Sequence, residues 1–219
     1  MPHPLLELLH AAADGRFPPV DGGVTVVPPL GNGLECSYAF TGHAVVATAL
    51  PAAEVLARGP DGYGGSMAPD FLRWLAGPDG WLDALDATLF ARGRGAGGRA
   101  LPARPDLADH PRAVWARNVR TRVEVYGDER GLVTLGRGLA GRCELSVEVD
   151  PGDGGAGGGP GTGRGRGLLA DALHLVPAGD PVFAAVAPGN ARSLRAFLAT
   201  GFTPVGSEVL YRPARVTPA

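Results

Sequence analysis

Four apolar runs in the second half of the chain limit most strongly what it can fold into. "TRVEVYG", "LVTLGRGL" and "RCELSVEV" alternate with a period of two, as half-buried strands do. Short polar turns separate them, so residues 121–149 read as an antiparallel meander. "PVFAAV" does not alternate, which suits a short strand buried on both faces in a parallel position. Between the third and fourth runs lies a glycine-rich stretch and then a helix from about Gly165 to Val176. "NARSLRAFLATGF" reads as a helix ended by Gly201, and "TPVGSEVLYRP" as a final strand or hairpin. The order β-β-β-α-β-α-β requires an α/β fold with a mixed sheet.

The first half is less regular. Residues 4–13 have the spacing of a short amphipathic helix. "GGVTVV" and "LECSYAFTGHAVVATAL" are β-like, "PAAEVLAR" and "APDFLRWLAG" read as short helices, and "WLDALDATLFA" ends as a strand. "RGRGAGGRALPARP", residues 92–105, has no periodicity and is the best internal linker. The expected division is an N-terminal α/β region over 1–100, facing the substrate, and a core over 101–219.

Composition excludes several chemistries. All 20 basic residues are arginine; lysine, isoleucine and glutamine are absent, as in a GC-rich bacterial genome. Without lysine there is no Schiff base and no P-loop. A net charge of −2 gives no basic footprint for nucleic acid. No metal-ligand spacing is present. Cys36 and Cys143 stand alone in apolar contexts, which suits reduced thiols in a cytoplasmic protein. The start "MPHPLLELLHAAADG" has no basic region and does not read as a signal peptide, and no apolar run is long enough to span a membrane.

The stretch "TGRGRG" before the helix carries the functional reading. The first amides of a helix lack intrahelical partners and bear partial positive charge. Glycines let an anion approach that backbone, and Arg164 and Arg166 add full charge. Gly163, Gly165 and Gly167 are spaced G-x-G-x-G, which fits neither a P-loop nor a dinucleotide-binding turn. A flexible loop with close helix–sheet packing is the plain alternative.

The series "CELSVEVDP", "TGRGRG", "LLADALHLV", "PVFAAVAPG", "NARSLRAF" and "GF" resembles the GNAT superfamily of N-acetyltransferases over roughly residues 115–212. The resemblance implies a mixed central sheet of the acyl-CoA N-acyltransferase type with an N-terminal α/β extension. It implies acetyl-CoA as co-substrate, with its pyrophosphate on Thr162, Gly163, Arg164, Gly165, Arg166 and Gly167. It implies a pantetheine arm along Val147 and Val149, with Asn190 and Ser193 contacting it. The acceptor would be a small-molecule or peptide amine; a homodimer is left open. The family's first turn position is usually Arg or Gln and here is Thr162, and its proton-donating Tyr is replaced by Phe197. Those departures leave a second reading, an acyl-CoA-binding sensor on a degenerate fold of this type.

Acetyl transfer needs a neutral amine, and an alkyl amine has a pKa of ~10.4, so a base is expected. Strand alternation puts Glu144, Ser146 and Glu148 on one face, opposite Cys143, Leu145, Val147 and Val149. Glu144 and Glu148 are the candidate bases, and Tyr211 is the candidate acid in place of position 197. His43 is a further candidate from the first half, with a hydrogen-bonded structural role as its alternative. His174 is expected at the surface of its helix.

Overall fold

A computed structural model describes residues 1–99, 101–150 and 163–214. They form an α/β protein with ten strands and six α-helices among the described residues, in mixed parallel and antiparallel pairing. The chain divides into two compact units, Met1–Thr88 with Pro204–Ala219, and Leu89–Thr203.

In the first unit, α1 (Pro4–Ala13) starts on the His3 ring, which accepts the Leu5 N–H, with Pro4 at the first helical position. Leu5, Leu9, Ala12 and Ala13 recur at helical spacing and are buried. Strand β1 (Val24–Val27) runs parallel to β3 (His43–Ala47), which forms a hairpin with β2 (Glu35–Phe40). Helices α2 (Ala52–Leu56) and α3 (Pro69–Ala76) follow, and then the two-residue strand β4 (Trp81–Leu82). The final strand β10 (Thr203–Arg212) pairs antiparallel with β2, Ser207 opposite Ala39 and Tyr211 opposite Glu35. Val46, Val55, Phe71, Leu75, Ala76 and Tyr211 make one apolar core.

In the second unit the expected meander is present as β6 (Thr121–Asp128), β7 (Gly131–Arg137) and β8 (Cys143–Val149). Helix α5 (Arg164–Ala172), strand β9 (Pro181–Val186) and helix α6 (Ala191–Ala199) follow in the expected order, and β9 is parallel to β8. Leu145, Leu168, Leu169, Val182, Ala184 and Phe197 share the core. Phe197 packs edge-on against Phe202, with ring centroids 4.8 Å apart.

Several features depart from the sequence reading. The expected boundary at 100/101 falls inside the second unit, and residues 204–212 belong to the first. Strand β5 (Asp86–Arg92) crosses the division and its second half lies beside β9. The stretch 92–105, read as a linker, begins on the last residue of β5, and its next residues are pinned. Gly93 N–H donates to Asp180 O at 2.8 Å, Gly95 N–H to Val176 O at 2.9 Å, and the His174 ring meets Gly95 O at 2.9 Å. His174 is therefore half-buried rather than at the helix surface. Helix α4 (Pro111–Val119) has no counterpart in the sequence reading.

Candidate functional site

The site grows from the mismatch between β8 and its two neighbours. Against β7, β8 keeps register along its whole length, from Arg137 opposite Cys143 to Gly131 opposite Val149. Against β9, the register holds at one pair, Glu144 with Phe183. With one registered pair, β9 takes up fewer of the β8 backbone groups in ladder bonds than β7 does. Val147 is half-buried, and Val149 at the strand end is 40% exposed.

Helix α5 begins against that end. Gly163 takes the left-handed region with φ 77° and no side chain caps the helix. A Cβ on Gly165 would stand 3.2 Å from Val149 Cγ2, so a larger residue would need the Val149 side chain to give by a few tenths of an ångström. This close approach accounts for a glycine in the first turn, where it otherwise costs about 1 kcal/mol. The structure thus brings Val147, Val149, Gly163, Arg164, Gly165, Arg166 and Gly167 to one place; Thr162 lies outside the described residues.

Charge at this helix start is partly committed. Arg164 donates to the Glu129 carbonyl. Arg166 makes no hydrogen bond or ion pair among the described residues, and its guanidinium is available to an anion. Arg130 sits beside Gly167 and is held by two carboxylates: Asp128 at 2.6 Å and Asp171 at 2.7 Å. The hydrogen bonds that Arg130 donates to Asp128, offset in part by burial, raise the Arg130 pKa further, and the same bonds lower that of Asp128. Arg130 thereby ties the β6–β7 turn to α5 and shapes the helix start without offering a free charge. Asn190 and Ser193 open α6, the helix that follows β9. The Asn190 side chain accepts the Ser193 N–H at 3.1 Å, so Asn190 caps the helix.

The candidate bases separate sharply. Glu144 is buried, and each of its oxygens meets an arginine. Oε1 lies 2.6 Å from Arg120 Nη2, and Oε2 lies 2.8 Å from both Nε and Nη2 of Arg142. Burial alone would raise its pKa, but the charges of Arg120 and Arg142, with their hydrogen bonds, hold it below the usual carboxylate range. Glu144, expected as a base, thus sits at the centre of a buried ion-pair group with Arg120 and Arg142. Arg120 also reaches Thr134 and Ser146, whose hydroxyls meet at 2.7 Å. Glu148, two positions nearer the open end of β8, is 43% exposed and accepts from Arg112 Nε at 3.1 Å.

Tyr211 is fully buried in the core of the first unit, among Val46, Val55, Phe71 and Leu75. Its ring, expected as an acid, is part of that core. Phe197 is likewise buried. Neither cysteine is in a disulfide; burial pushes the Cys143 thiol up, which makes it a poor nucleophile.

No protein-family model matches this sequence, and no curated protein is similar enough to count as a relative.

Among the described residues no group of three or more His, Cys, Asp or Glu could hold a metal ion. No helix there is long and apolar enough to cross a membrane. The residues that sequence reading missed are arginines. Arg112 and Arg120 come from α4 and the residue after it, and Arg142 from the turn before β8. Their signal was the run "HPRAVWARNVR", in which His110 caps the helix by accepting the Arg112 N–H and Pro111 takes the first helical position.

Proposed function

We propose that this chain is an acyl-CoA-dependent N-acyltransferase, moving an acetyl group from acetyl-CoA to an amine. The observation that carries the reading is the junction of β8 with a glycine-started helix, Gly165 against Val149. An acyl-CoA presents the two chemistries that junction suits. Its diphosphate matches uncapped helix amides with Arg164 and Arg166 beside them. Its pantetheine amides match the backbone groups near Val147 and Val149, much as a peptide adds to a sheet edge.

In this reading the amine nitrogen attacks the thioester carbonyl. A carbon–nitrogen bond forms, the carbon–sulfur bond breaks, and the amine proton passes to Glu148 or to water. The thiolate leaves unaided: with a thiol pKa of ~8.5, free thiolate at pH 7 lies only about 2 kcal/mol above the thiol. The second reading is an acyl-CoA-binding sensor without transfer. Glu144 locked between two arginines, and buried Phe197 and Tyr211, favour it. A panel of amines with acetyl-CoA, followed by thiol release, separates them. Release with any amine supports transfer; tight binding without release leaves the sensor.

A further inference from the structure

Within the first unit, three side chains from separate segments form a relay. His43 Nδ1 lies 2.8 Å from Asp21 Oδ1, and His43 Nε2 lies 2.9 Å from Thr25 Oγ1. A carboxylate only accepts, so Nδ1 carries the proton, and in the neutral ring Nε2 accepts the Thr25 hydroxyl. This is the hydrogen-bond order of nucleophile, base and orienting acid that activates a hydroxyl for acyl transfer.

The surroundings suit that use. The His43 side chain is 10% exposed, so its orientation is held, while Thr25 faces solvent. Gly62 packs so closely that a Cβ there would stand 2.8 Å from His43 Cα. Gly22 N–H donates to Gly42 O, and Gly62 N–H donates to Gly22 O, both at 2.9 Å, so three backbone segments meet around the ring. Asp21 also accepts the Gly23 N–H at 2.7 Å, and the His43 and Gly23 hydrogen bonds keep its carboxyl ionised below the usual range. Strand β1 is the last strand on its side among the described residues. Gly23 and Val27 carbonyls accept from β3, so the alternate residues Val24 and Val26 turn their N–H groups away from β3. The Val26 N–H, next after Thr25, therefore points to the open edge of the sheet. Two large apolar side chains stand open next to the residues flanking Asp21 and His43: Tyr63, 70% exposed with its ring over Gly22, and Val20, 66% exposed against Gly42.

We propose that Thr25, His43 and Asp21 form a second site that hydrolyses small carboxylic esters bearing an apolar or aryl group, through an acyl-Thr25 intermediate. Thr25 Oγ attacks the ester carbonyl and its proton passes to His43 Nε2. The bond to the alcohol oxygen breaks, and the alcohol leaves with that proton. Water, deprotonated by His43, then attacks acyl-Thr25; the acid is released and the hydroxyl restored. Tyr63 and Val20 receive the apolar part, and Asp21 is a positioning residue that sets the His43 tautomer. The site needs no CoA and stands apart from the transfer reading above.

The test is p-nitrophenyl acetate hydrolysis by the full chain without CoA, with mass spectrometry of the quenched protein. The expected result is turnover above buffer, with one acetyl group on residue 25. Thr25→Ser keeps turnover and acetylation. Thr25→Val and His43→Asn lose ~10²-fold or more, and Asp21→Asn lowers kcat with KM unchanged. If Thr25→Val proves unfolded by thermal melting, the acetylated residue in wild type and Thr25→Ser decides. No turnover by wild type, wild-type turnover by folded Thr25→Val, or acetyl found only elsewhere would overturn the proposal.

Discussion

Replacing Glu144 by Gln tests the ion-pair account of that side chain. The side chain sits between Arg120 and Arg142, whose own side chains are 8% and 0% exposed. The amide keeps the shape and removes the charge that both guanidinium groups share. Removing one member of a buried ion pair costs about 3–5 kcal/mol. For a chain of this size each kcal/mol moves the melting temperature by roughly 2–4 °C, so a fall of ~6–20 °C is expected at pH 7. The acid dependence follows from the sign of the shift. The folded pKa lies below the unfolded value of ~4.3, so the stabilisation is present above that pH and is lost as pH falls through the folded value. The gap between wild type and Glu144→Gln, read by circular dichroism melts, is therefore widest above pH ~4.3 and closes below it. If the variant melts with wild type and instead loses acetyl transfer with partial recovery at high pH, Glu144 is the base and the ion-pair account fails.

Arg164→Ala with Arg166→Ala should weaken acetyl-CoA binding by roughly 1–3 kcal/mol in total, the range for charge-assisted hydrogen bonds; calorimetry giving unchanged affinity would remove the phosphate cradle. Asn190→Ser retains a capping oxygen, so a raised KM for acetyl-CoA at constant melting temperature marks a ligand contact, whereas lost stability with KM kept assigns Asn190 to capping alone. Phe197→Ala should lower stability by ~3–5 kcal/mol, since the ring is buried against Phe202; a denaturation midpoint equal to wild type would contradict the packing role.

Period-two alternation in 121–149, the apolar run at 181–186 and the Gly201 stop were legible because each is a local property. Backbone conformation and one-sided burial select residues only a few positions apart. The same locality made the face of Glu144, Ser146 and Glu148 readable. Helix α4 was not, because its exposed Val114 and Trp115 obscure its apolar face and its cap is a histidine. Partnership across distance was decided by tertiary structure alone. Glu144 became an ion-pair centre because α4 delivers Arg120 beside it and the turn before β8 delivers Arg142. His43 acquired Asp21 and Thr25 from 22 and 18 residues earlier. The last strand joined β2 of the first unit, while half of β5 lies beside β9 of the second. An alternating strand specifies which face it buries, but its edge hydrogen bonds are alike for every neighbour. Only the packing of the whole chain chooses among them.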